Sequence, residues 1–223
     1  MFFSLRDNLH HCTASGRTIV LDIEADRYLA LPPGMDEAFR RAAGGEPCSP
    51  DEVRVLQPLL ARGMLIEQAH ASPTDGSSRI VPASRDVISS AGEHPGPSML
   101  AQVTFAQCVV AWRVRFRGLP AIIRDLESRK LAARARVAER HDREYAGINA
   151  AFEALGPVFR RSDRCLVRSL AFLWICLRRG LAPSLVFGVQ ASPFSAHCWV
   201  QQGEAVLNDT IENVRPFTPI MAV

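Results

Sequence analysis

Paired cysteines are missing from this chain. Its six cysteines stand at 12, 48, 108, 165, 176 and 198, none of them in C-x-x-C spacing, so zinc-ribbon and thioredoxin-type motifs have no basis. Long apolar runs are missing too. No stretch reaches about eighteen residues, and the best ones are broken by Arg113, Arg115 and Arg168, so no membrane span is expected. The start, Met1-Phe-Phe-Ser-Leu-Arg6, lacks the basic opening and apolar core of a secretory signal. The cysteines are therefore expected as reduced thiols of a cytoplasmic protein. No G-x-x-x-x-G-K-[ST] loop occurs, which leaves ATP use without a visible site. Lysine is nearly absent: Lys130 is the single one, and every other basic residue is arginine. The net charge of +3 is mild. The basic stretch from Arg113 to Arg143 carries no interleaved aromatic ladder, so it is read as a solvated helical face and no nucleic-acid partner is expected. His10-His11-Cys12 lacks a second ligand pair, and no metal or other cofactor is expected.

What is present is the composition of a globular chain, 48% hydrophobic and 22% charged over 223 residues, enough for one domain or two small ones. Between 69 and 98, fourteen of thirty positions are Ser, Pro or Gly and apolar periodicity vanishes. That is a linker composition, and it separates a unit at 1–68 from one at 99–223. In the first unit, residues 11–13, 18–23 and 28–31 read as strands and 35–43 as a helix stopped by Gly44-Gly45. Ser49-Pro50-Asp51-Glu52 opens a second helix with a capping box, carrying Val53, Leu56, Leu59 and Leu60, with Pro58 as a possible kink or early stop. Residues 64–67 read as a last strand. In the second unit, helices over 99–116, from Pro120 towards Tyr145, and over 148–159 precede a very apolar helix from Cys165 to Arg179, ended by Gly180. Strands follow. Helices first and strands last is an α+β order.

Cys165 at a helix start, His197 in the strand run Ala196-His-Cys-Trp-Val200 and Asp209 closing Ala205-Val-Leu-Asn-Asp209 form a candidate acyl-transfer constellation. A thiol is mostly protonated near neutral pH. With Ser162 or Asp163 as N-cap, Cys165 falls in the first turn, where the helix dipole favours thiolate. His197 supplies an imidazolium that can protonate a leaving amine. Asp209 would fix the imidazole tautomer, and Asn208 is an alternative orienting residue. The Cys165 N–H is one oxyanion donor; the sequence names no second one. Helical period puts Cys165, Ser169, Phe172 and Cys176 on one face. Strand alternation points His197, Trp199 and Gln201 one way and Cys198 the other, so Cys198 is expected outside the His197 site. The plainer reading of a cysteine in an apolar helix is a small buried hydrophobe, and Cys108 and Cys176 fit it.

The run Arg164-Cys-Leu-Val-Arg-Ser-Leu-Ala-Phe172, with Leu177-Arg-Arg-Gly180, Leu185-Val-Phe-Gly-Val189, Pro193-Phe-Ser-Ala-His-Cys-Trp-Val200 and Val206-Leu-Asn-Asp209, resembles the lasso-peptide leader peptidases, transglutaminase-like cysteine proteases of peptide natural-product pathways. The resemblance covers roughly residues 100–223. It implies Cys165 as nucleophile, His197 as base and Asp209 as third member, on a papain/transglutaminase-like α+β domain at 99–223. Cys198 departs from the pattern, where a small residue such as alanine is expected. Residues 1–68 resemble the RiPP recognition element, a small winged-helix-like domain with a three-stranded sheet and helices, similar to the chaperone of pyrroloquinoline-quinone biosynthesis.

That layout implies leader binding by β-augmentation. The edge of strand 27–31 (Tyr28, Leu29, Ala30, Leu31) would accept an extended peptide, and helix 50–62 (Val53, Leu56, Leu60) would wall the groove. The alternative is that Tyr28, Leu29, Leu56 and Leu60 are core. The implied function is a cysteine endopeptidase that binds the leader of a ribosomally made precursor, cuts it from the core peptide and leaves the core to an asparagine-synthetase-like lasso cyclase. Two rivals stand beside it: a transglutaminase-type acyl transferase using the same residues, and a non-catalytic precursor-binding adaptor.

Overall fold

The computed structural model describes residues 1–71, 80–87, 95–134, 142–156 and 165–223. They fall into two compact units. One is Met1–Ile80 with Val189–Ser195 and Thr218–Met221, the other Val81–Gly188 with Ala196–Phe217 and Ala222–Val223. The protein is mixed α+β, with six helices and three sheets among the described residues. Among them no helix is long and apolar enough to cross a membrane.

The first unit runs β1 (Phe2–Leu5), β2 (Leu9–Ala14), β3 (Arg17–Asp22), β4 (Arg27–Ala30), α1 (Pro33–Ala43), α2 (Pro50–Leu60) and β5 (Leu65–Gln68). β2, β3 and β4 form an antiparallel meander with β3 central and β4 at an edge. β1 pairs antiparallel with β5. The expected strands and helices are all there; β1 is additional. Its four residues bury only Phe3 and Leu5, too short a period to read, and its partner lies at the far end of the unit. The Asp36 carboxylate of α1 accepts the Thr18 N–H at 3.0 Å and so fastens the helix to the central strand. Ser49 caps α2 through the full capping box: its hydroxyl accepts the Glu52 N–H, and its own N–H donates to Glu52 Oε2 at 2.7 Å. Such a cap contributes about 1 kcal/mol. Pro58 does not stop α2, which continues to Leu60. The carbonyl a proline deprives of its partner is four residues back, and Arg54 there is exposed to water. Phe3, Val20, Phe39, Leu56, Leu59 and Met64 share one core, each fully buried side chain of this size being worth about 1.5–3 kcal/mol.

The second unit supplies β6 (Arg85–Asp86), α3 (Pro97–Arg134), α4 (Asp142–Ala154), α5 (Cys165–Arg178), most of β7 (Ser184–Ala191) and β8 (Phe194–Gln202), β9 (Ala205–Val206), α6 (Ile211–Val214) and the end of β10 (Thr218–Ala222). The sheet order is β10-β7-β8-β9-β6. α3 is broken at Gly118, whose φ of 72° and ψ of 162° lie outside any helix and outside ordinary L-residue space. The two halves are the two helices expected on either side of Pro120. α5 is buried along most of its length, from Ser169 to Leu173 and again at Ile175 and Cys176. Phe172 packs on Phe152 of α4 with ring centroids 5.6 Å apart, and Arg168 pairs with Glu153 at 2.8 Å. After the helix the Leu181 N–H returns to the Cys176 carbonyl at 3.0 Å, closing it at the expected Gly180.

Within the expected linker at 69–98 lies the short strand β6. Residues 72–79 and 88–94 lie outside the described ones, but residues between them are held in a sheet. β6 runs parallel to β9, Ser84 N–H donates to the Glu204 carbonyl at 3.0 Å, and Val87 N–H donates to the Val206 carbonyl at 2.8 Å. These are main-chain bonds over a very short strand, which needs no apolar period and leaves no compositional mark.

Candidate active site

Cys165 is the first described residue of α5. The expected N-cap residues Ser162 and Asp163 lie outside the described residues. His197 comes from β8. Asp209 does not close a strand: β9 ends at Val206. The reason is local. Asn208 Oδ1 accepts the Val200 N–H at 2.7 Å, and Asp209 Oδ1 accepts the Thr210 N–H at 2.8 Å. Side-chain amides and carboxylates here take over bonds that strand partners would otherwise make.

The three side chains meet. His197 Nε2 lies 2.6 Å from Asp209 Oδ2, and the imidazole also hydrogen-bonds Cys165, which leaves Nδ1 for the thiol. Asp209 Oδ1 takes a second bond from Asn213 Nδ2 at 2.8 Å, so both carboxylate oxygens are engaged. Burial raises an acid's pKa, but the bonds from His197, Asn213 and Thr210 outweigh it and hold Asp209 below the ordinary carboxylate range. Burial likewise opposes an imidazolium at His197; Asp209 and Cys165 overcome it and raise the group to about 9. The Cys165 thiol is lowered to about 4, by a hydrogen bond from Cys198 first and, against burial, by the bond and charge of His197. Both directions favour a thiolate–imidazolium pair.

Cys198 corrects an expectation. Alternation puts it on the opposite face of β8 from His197, and it is indeed buried, at 2% exposure. Yet its thiol interacts with that of Cys165. β9 covers β8 only at Gln201 and Gln202. Alternation separates the two faces of a sheet, but a group standing at the open edge of a strand meets successive residues from both. Contact with Cys165, then burial, pushes the Cys198 thiol well above its usual range, so it stays protonated and donates.

Further residues build the site. Ser169, one turn after Cys165, donates to the Cys198 carbonyl at 3.0 Å and accepts from Asn208 Nδ2 at 2.9 Å. With the Asn208–Val200 bond this forms a buried clamp of α5 on β8. Asn208 thus holds helix to strand and does not orient the imidazole. Phe217 and Trp199 pack against His197 at centroid distances of 5.2 and 6.1 Å. Gly188 lets them approach: a Cβ there would lie 2.8 Å from the Trp199 ring and 2.9 Å from Phe217 Cβ. Asn213 is held by Thr210, which caps α6, while Asp86 accepts the Ile211 N–H at 3.0 Å. Helical period already sets Ser169 on the Cys165 face, strand alternation sets Trp199 beside His197, and Thr210-x-x-Asn213 marks a cap; Gly188, Phe217, Asp86 and the bonds of Asn208 depend on long-range contacts.

The peptide-binding candidates of the first unit divide by burial. Leu31 and Leu56 are 3% and 0% exposed and have no surface to offer a ligand. Leu29, Val53 and Leu60 are half-buried at the margin of the same core. Tyr28 is half-buried and Ala30 exposed, both on the edge strand β4.

Residues 106–222 match the family model of the transglutaminase-like superfamily. No curated protein and no solved structure matches the chain. Members of this superfamily are commonly cysteine peptidases or acyltransferases, and the α+β unit described above fits that type. The match spans more than half of the chain, which belongs to the transglutaminase-like superfamily.

Proposed function

We propose that the protein is a cysteine endopeptidase that removes the leader from a ribosomally synthesised lasso-peptide precursor. The observation that carries this reading is the hydrogen-bonded series Cys165, His197, Asp209 at the N-terminus of α5. The thiolate attacks the scissile carbonyl; the tetrahedral oxyanion forms beside the Cys165 N–H. The His197 imidazolium protonates the leaving amine, and the neutral imidazole then takes a proton from the water that releases the acyl group. Asp209 keeps Nε2 as the protonated nitrogen throughout.

The first unit would bind the leader along the edge of β4, with the exposed Ala30 offering main-chain pairing and Tyr28, Leu29, Val53 and Leu60 an apolar margin. Carrying that site on the same chain raises the local concentration of the scissile bond, to around millimolar for a short tether. The released core would pass to an asparagine-synthetase-like cyclase. The test is mass spectrometry of a cognate precursor with wild-type protein and Cys165→Ala. One cut at the leader–core boundary, lost in the variant, supports the reading. Amine-linked products point to acyl transfer, and intact precursor in both, with the cyclase present, sinks it.

A further inference from the structure

Two thiols stand at this site, and the acyl-transfer chemistry uses one. Cys165 is half-buried at the mouth of the helix, and Cys198 lies beneath it, closed to solvent. Each thiol is the foremost influence on the other's titration, which puts the two within interaction range. Their backbones are tied one helical turn away, where Ser169 Oγ meets the Cys198 carbonyl at 3.0 Å and is itself gripped by Asn208. Cys176, the other cysteine of α5, is roughly 16 Å further along the helix axis and fully buried. We propose that Cys198 is a resolving thiol, and that peroxide-class oxidants convert the Cys165–Cys198 pair into a reversible disulfide that silences the site and protects its nucleophile.

The chemistry balances. The Cys165 thiolate attacks one oxygen of a hydroperoxide. An S–O bond forms, the O–O bond breaks, and the departing oxygen takes the His197 imidazolium proton to leave as water or an alcohol. Sulfur is oxidised by two electrons to a sulfenic acid, and the peroxide is reduced. The Cys198 thiol then attacks that sulfur. An S–S bond forms, the S–O bond breaks, and the hydroxyl leaves with the Cys198 proton as water. The asymmetry of the pair suits this order. The exposed partner is the thiolate that meets the oxidant, and the sheltered partner is a thiol that meets only Cys165. A disulfide requires sulfurs at about 2.0 Å. A low-pKa cysteine without such a neighbour proceeds to sulfinic and sulfonic acids, which thiols do not reverse.

The proposal is independent of what the site cleaves, so its test uses the full chain without substrate. The protein is treated with a few equivalents of hydrogen peroxide, alkylated and digested with trypsin. Trypsin releases Cys165 in Cys165–Arg168, Cys176 in Ser169–Arg178, and Cys198 in the peptide beginning at Gly180. The expected product is the first peptide joined to the third, lost on dithiothreitol with return of alkylatable Cys165. In Cys198→Ser, whose hydroxyl keeps the donor to Cys165 and cannot form the bond, Cys165 should instead become about 32 or 48 Da heavier, with roughly tenfold less recovered by dithiothreitol. Cys165 over-oxidised in the wild type as fast as in the variant, or linked to a different cysteine, overturns the proposal. Should Cys198→Ser fail to fold, the wild-type peptide map decides alone.

Discussion

Asp209 grips His197 at 2.6 Å while its other oxygen is held by the Thr210 N–H and the Asn213 amide. The carboxylate therefore cannot rotate away, and the imidazole presents Nδ1 to Cys165 in one tautomer. Asp209→Asn keeps the shape and removes the charge. On the proposed mechanism turnover should fall by on the order of 10²–10⁴-fold, with the thiol of Cys165 titrating at higher pH. Peptide turnover, and iodoacetamide alkylation rate against pH, check both.

The ion pair sets a pH window. Below about 4 the Cys165 thiolate is protonated, and above about 9 His197 has lost the proton owed to the leaving amine. Turnover should be bell-shaped, flat across neutrality, with limbs near those values. A single limb near the ordinary cysteine pKa of about 8.5 in the alkylation profile would contradict the pair.

Asn208→Ala strands the buried Val200 N–H and removes one of the two bonds of the Ser169 hydroxyl, which keeps the Cys198 carbonyl. An unmet buried group costs about 1–3 kcal/mol. A lower unfolding midpoint in denaturant, together with slower alkylation of Cys165 as α5 loosens from β8, is the expected result.

Gly188→Ala drives a methyl into Trp199 and Phe217. Overpacking of this kind costs about 1–3 kcal/mol, and the rings displaced are those flanking His197. Turnover should fall more than stability accounts for, measured by kcat on protein shown folded by circular dichroism.

In the first unit, Leu56→Ala should destabilise by about 2–5 kcal/mol, since the side chain is fully buried. Ala30→Pro, at an exposed position of the edge strand β4, removes a main-chain donor of the proposed pairing. Its expected effect is leader-peptide affinity weakened by about tenfold or more, read by calorimetric titration. Unchanged affinity would remove β4 from the binding site.

Much of this is legible in the sequence because the signals are local. The capping box at Ser49 and the closure of α5 at Gly180 each rest on residue type at short spacing. What stays hidden depends on partners far along the chain. β1 needs β5 to be a strand, and β6 needs β9. Cys198 escapes the alternation rule because that rule describes faces and says nothing of a strand's open edge. The neighbours of Asn208 suggest a role at the imidazole, whereas its amide reaches Ser169, 39 positions earlier.

Asp86 lies in a segment whose composition suggests a tether, yet it caps the short helix that carries Asn213, and Asn213 holds the carboxylate of Asp209. The C-terminal half is therefore not self-sufficient from where its first helix begins. A piece of the chain cut at residue 99 loses an outer strand of the sheet and the far end of a relay running to the imidazole. A piece cut before Val81 keeps both. Where the protein is divided decides whether the isolated half inherits a poised thiol or an ordinary one.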